Sequence, residues 1–139
     1  MLQAGKLFAL LLPIFLAIDL FWLGIVMKSF YSTELGPLAR RAGDGFAPRW
    51  GAALLVYLLI PGGLVLFVRP LLQNSGTVGA ALVWGALYGL IVYGVYDLTN
   101  RAILENWSLR MTIADIVWGC MLCGITSLAM WRIDLWLKS

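Results

Sequence analysis

Four apolar runs, over residues 7–27, 51–69, 78–98 and 111–131, constrain this chain more than any other feature. A helix of about twenty residues rises about 30 Å, the thickness of a bilayer's hydrocarbon core. Backbone in lipid must satisfy its own hydrogen bonds, so such runs are read as helices. Little chain remains outside them, and the longest connection, residues 28–50, is too short for a separate folded domain. The expected architecture is all-α: one integral membrane domain over residues 1–139, a polytopic transmembrane four-helix bundle with kinked helices and short connecting loops. Composition agrees, since 62% of residues are hydrophobic and 12% charged, about half the charged share of a soluble domain. The net charge of +3 fits attraction to a membrane surface. No basic run with interleaved aromatics lies outside the spans, which argues against nucleic acid as a partner.

Lys6 before "LFALLLPIFLAI" gives the first run the look of a signal peptide. The run exceeds a usual signal core and lacks a small-x-small cleavage site, so it is read as the first helix. Lys28, Arg40, Arg41, Arg49, Arg101 and Arg110 flank the spans on one side and Lys6, Arg69, Arg132 and Lys138 on the other. That excess places both termini outside the cytoplasm by the positive-inside rule.

Pro13 and the Pro61-Gly62-Gly63 stretch interrupt helices one and two, where a missing N–H and a ring clash favour kinks. A broken helix can line a binding site, but prolines are also common as plain kinks in membrane helices. Helix three carries Thr77, Ala81, Gly85 and Gly89 at four-residue spacing, a seam of small residues for close helix packing. The spacing alone leaves open whether the seam joins helices of one chain or two chains. At 100° per residue, Tyr93, Tyr96, Asp97 and Asn100 lie within about a quarter turn of the line through Gly89, so the seam leads into a polar cluster.

The chain has no histidine, which removes His-based acid/base catalysis, His-ligated haem and His-containing zinc sites. Cys120 and Cys123 share one helix face, but two thiolates do not close a zinc site. Burial within a span favours packing over redox chemistry, and neither a metal nor a cofactor is implied.

Acids within spans are costly and usually face a bundle interior. Asp19 and Asp97 lie toward the C-terminal ends of helices one and three, and Asp115 near the start of the oppositely directed helix four. All three therefore fall in the same half of the membrane. With Asn100, Arg101 and Tyr93 they form a candidate ligand-binding pocket. Each acid also has a structural reading. Thr112-x-x-Asp115 fits a capping box, and Asp97 has Arg101 at i+4, a common helix-face pair. Asp19, at least about 12 Å from either end of its helix, needs a partner such as Arg101 or another carboxylic acid.

Trp22 follows Asp19 by three residues and Trp118 follows Asp115 by three, an echo between opposed helices. Trp50, Trp107, Trp131 and Trp136 at the helix ends are read as interfacial anchors. The connection holding Phe30, Tyr31, Leu35 and Leu38 before Gly36-Pro37 is expected to form a short interfacial helix, with Arg40 and Arg41 near lipid phosphates.

The stretches "FLAIDLFWLGIVMKSFY" and "VYDLTNRAILENWSLRMTIADIVWG", together with four spans in this length, resemble an uncharacterised bacterial family of four-helix integral membrane proteins, domain of unknown function 2177. The resemblance covers essentially the whole chain. It implies a fold and a multi-pass location in the bacterial inner membrane, and brings no activity, cofactor or catalytic residue. Two functional classes stand open. One is binding or transport of a small molecule or lipid through an intramembrane carboxylate pocket. The other is a structural or accessory subunit, whose Gly85 and Gly89 seam and buried acids fix helix packing or assembly with a second copy or another membrane protein. A membrane enzyme acting on lipid ranks third, because no activated nucleophile or phosphate-cradling loop accompanies the acids. Membrane lipids are expected partners in every case.

Overall fold

A computed structural model describes residues 2–43, 45–74 and 76–139. Four helices in it are long and apolar enough to cross a membrane: Leu2–Val26, Trp50–Leu72, Val78–Ile103 and Leu109–Trp136. They are called the first to fourth spans below. Each extends beyond its apolar run, because polar end residues such as Asn100 and Arg101 continue the helix after hydropathy falls.

The spans pack where their sequences allow close approach. Leu7, Leu11 and Phe15 recur every fourth residue on the first span and are fully buried against Leu64 and Val68 of the second span and Leu122 of the fourth. Asp19 is the next member of that stripe, so helical spacing turns it toward protein rather than lipid. The tightest pair is the third and fourth spans. A side chain at Gly85 would overlap the Cys123 carbonyl and Ser127, and one at Gly89 would overlap the Gly119 carbonyl and Cys123. The glycine seam therefore joins helices of one chain. Its partner on the fourth span is a matching small-residue row of Gly119, Cys123 and Ser127. Thr77, placed in the seam by spacing, instead caps the third span by accepting a hydrogen bond from the Ala80 amide.

Neither proline breaks its helix. The first span runs as α-helix through Pro13 to Phe21 and only then widens into a π-helical turn, Trp22–Val26. The second span continues through Pro61 and widens just after the two glycines, at Leu64–Val68. Gly63 has a steric reason: a Cβ there would overlap the Tyr88 hydroxyl. That hydroxyl donates to the Ile60 carbonyl at 3.2 Å, beside the proline.

The first connection contains the expected short helix, Lys28–Leu35, followed by a 3-10 turn, Gly36–Leu38. Arg41–Ala42 then pairs antiparallel with Gly45–Phe46. Arg41 is engaged by this connection, donating to the Ser32 side chain and carbonyl and lying over the Phe46 ring. At the opposite end of the bundle, Arg69 donates twice to Asp134, at 2.8 and 3.0 Å, and Lys138 pairs with the same carboxylate at 2.7 Å. Apolar side chains not used in this packing, including Leu54, Leu55, Leu58, Leu66, Phe67, Ile91, Val95 and Val117, lie exposed along the spans. So much exposed apolar surface would aggregate in water and matches a lipid environment.

Candidate functional site

Where the first, third and fourth spans meet the connecting helix, the intramembrane acids gather around two stacked indoles. The Trp22 and Trp118 rings lie 4.2 Å apart between centroids and 3° from parallel. The two aspartate-tryptophan pairs of the sequence are thus brought face to face. Asp19, 4% exposed, accepts a hydrogen bond from the Trp118 indole at 2.9 Å. Asp115 accepts one from the Tyr31 hydroxyl at 2.5 Å. Burial and the adjacent Asp115 carboxylate push the Tyr31 phenol well above its ordinary range, so it remains a donor at any physiological pH.

Asp97 is fully buried beside Asp115 and the Trp107 side chain. The expected Asp97–Arg101 pair does not form. Arg101 turns back onto the loop and donates to the Trp107 carbonyl at 2.5 Å, so it is not the counter-charge for Asp19 either. Among the described residues, no lysine or arginine is paired with Asp19, Asp97 or Asp115. The capping reading of Asp115 is also corrected. Ser108 caps the fourth span by accepting from the Met111 amide, and Thr112 donates to the Ser108 carbonyl. Asp115 lies a turn deeper, free to meet Tyr31.

A cavity of about 540 Å³ opens onto this cluster, within the roughly 300–1,000 Å³ typical of ligand pockets. Of the six candidate ligand-binding residues named from sequence, Asp19, Asp115 and Tyr93 line it. Asp97 stands behind Asp115, and Asn100 lines a second hollow of about 440 Å³ with Arg40, Leu104 and Trp107. Arg101 lines neither.

Several lining residues escaped the sequence reading. Tyr57 and Ile60 come from the second span and Phe15 from the core stripe of the first. Tyr57 is the one polar group in an otherwise apolar stretch of its span, which was the available signal. Trp107, expected at the interface, is buried at 6% exposure, with its ring set edge-on to Tyr96 at 5.8 Å. Tyr31 and Leu35 roof the cavity from the connecting helix. That helix is fastened to the start of the fourth span by Glu34, which accepts from Ser108 and pairs with Arg110 at 3.4 Å.

Among the described residues no cluster of three or more acids and cysteines has metal-binding geometry. Cys123 is buried in the helix seam and both cysteines are free thiols. The arrangement offers hydrogen-bond acceptors, aromatic faces and an apolar volume.

No curated protein and no solved structure matches the chain. The family described as Predicted membrane protein (DUF2177) matches residues 4–132. With four apolar helices of spanning length and a family match over nearly its full length, the chain is a multi-pass membrane protein belonging to the DUF2177 family.

Proposed function

We propose that this protein binds, and through binding moves or presents, a small molecule or lipid in the intramembrane carboxylate cavity, in the bacterial inner membrane. The observation that carries the reading is the cavity itself, with the Asp19 and Asp115 carboxyl groups on its wall at membrane depth. Acids held in lipid without counter-ions are costly, and they usually mark a ligand or ion path. A helical bundle rather than a closed barrel supports the inner membrane, since outer-membrane proteins are typically barrels.

The alternative of a structural or accessory subunit keeps the helix-packing role of Gly85 and Gly89, but the seam is filled by the fourth span of the same chain and so gives no surface for assembly with another protein. Native mass spectrometry of gently purified protein, wild type beside Asp19→Asn, tests the proposal. A defined small molecule or lipid retained by the wild type and lost from the variant is expected. A ligand-free protein in both samples, or a companion protein retained equally by both, contradicts it.

A further inference from the structure

Between the second and third spans the cavity wall is incomplete. The N-terminal half of the second span, Trp50–Gly63, packs on the first span. The third span meets the second mainly from Leu64 onward, with Tyr88 bridging to Ile60 and Gly63 where the two converge. Nearer the acids they diverge. Val56 and Leu59 on one side and Tyr96 on the other line the cavity while staying 50%, 69% and 57% exposed. Leu59 follows Trp50 by nine residues, about 13 Å along the helix axis. That depth is hydrocarbon, so the gap faces lipid tails.

The chemistry inside is one-sided. Asp19 and Asp115 reach the cavity, and Asp97 is fully buried beside Asp115. No lysine or arginine is among the lining residues. Tyr57, Tyr93, Tyr96 and Trp118 add aromatic rings, whose faces attract cations. The rest of the wall is aliphatic apart from Phe15, Tyr31 and Trp107. Resting on the binding reading above, we infer that the cavity takes a single-chain cationic amphiphile, an amine or quaternary ammonium head on an aliphatic tail. It enters sideways from the membrane between Val56 and Tyr96. The head group sits among the carboxylates and aromatic rings, and the tail follows the aliphatic wall out through the cleft.

The test uses the full chain in dodecyl maltoside and radiolabelled dodecyltrimethylammonium as probe. Unlabelled dodecanoate and dodecanol serve as anionic and neutral competitors of equal chain length. Saturable binding is expected that the unlabelled cation displaces and the other two do not. Asp19→Asn keeps an oxygen for the Trp118 indole while removing the charge, and is expected to weaken binding by about tenfold or more, as for loss of a charge contact in a low dielectric. Asp115→Asn does the same from the other wall and serves if the first variant fails to fold. Phosphatidylethanolamine carries two chains and a phosphate beside its ammonium, so it is expected not to compete; displacement by it as effective as by the unlabelled cation overturns the choice of a single-chain cation. Displacement by dodecanol or dodecanoate as effective as by the cation overturns the choice of a cation and leaves the binding reading standing. Binding within twofold of wild type in both variants also overturns it. No saturable binding of the cation, with labelled dodecanol and dodecanoate equally silent, removes both.

Discussion

The Asp97 carboxyl is fully buried beside that of Asp115, and no lysine or arginine is paired with either among the described residues. Two adjacent buried carboxyls repel each other when both are ionised. Asp97→Asn removes one of those charges and leaves an amide that can donate to Asp115, so it should stabilise the protein by about 1 kcal/mol. Thermal unfolding in a fixed detergent measures this, and a lower midpoint in the variant would refute it. Trp118→Phe works in the opposite sense. It keeps an aromatic ring against Trp22 but strips the donor from buried Asp19, and should cost about 1–3 kcal/mol. The same melting experiment decides, with an unchanged midpoint counting against the bond. The intramembrane acids were legible in sequence because charge at hydrocarbon depth is rare. Their partners were not. Helical spacing places Asp97 and Arg101 on neighbouring turns, yet cannot show that the loop after Ile103 offers Arg101 the Trp107 carbonyl instead.

The third and fourth spans form the most closely apposed element pair, and glycine position decides how near they come. At Gly89 an added methyl would run into the Gly119 carbonyl, backbone that cannot swing aside. At Gly94, five residues further on, an added methyl meets nothing within 4 Å. Gly89→Ala should therefore cost about 1–3 kcal/mol through overpacking. Gly94→Ala should be neutral or stabilising by up to about 1 kcal/mol through helix propensity. Size-exclusion profiles of the two folded variants should coincide, because the seam is internal. A shift in oligomeric state for Gly89→Ala would show instead that the seam also serves a second chain. One half of this seam was readable as a four-residue repeat of small residues. The other half mixes glycine, cysteine and serine and interleaves with "GCMLCG", where the paired cysteines draw attention away from their packing role.

Across the whole molecule, polar ties close the bundle at both ends and do different work. Asp115 and Asp134 lie on one helix, nineteen residues apart, about 28 Å along its axis. At the Asp134 end, Arg69 and Lys138 neutralise the carboxylate and join the second span to the fourth. At the Asp115 end, Tyr31 and Glu34 hold the connecting helix over the cavity. The four spans could be drawn from hydropathy alone, but the cavity could not. It lies where the second span packs on the first and parts from the third, beyond the point at which Tyr88 meets Gly63. The two ends should accordingly separate under mutation. Asp134→Ala strands Arg69, whose side chain is 13% exposed, and should lower stability by about 2 kcal/mol, less than a fully buried pair because arginine can reach the interface. Cation binding should stay within twofold of wild type, because the cavity lies at the far end. Tyr31→Phe removes one hydrogen bond for about 1 kcal/mol but frees the roof and the Asp115 carboxylate, so its larger effect should fall on dodecyltrimethylammonium affinity. Melting midpoints and binding isotherms collected on the same two preparations distinguish the cases. If Asp134→Ala weakens binding as much as Tyr31→Phe does, the two ends are mechanically coupled and the cavity cannot be treated as a local site.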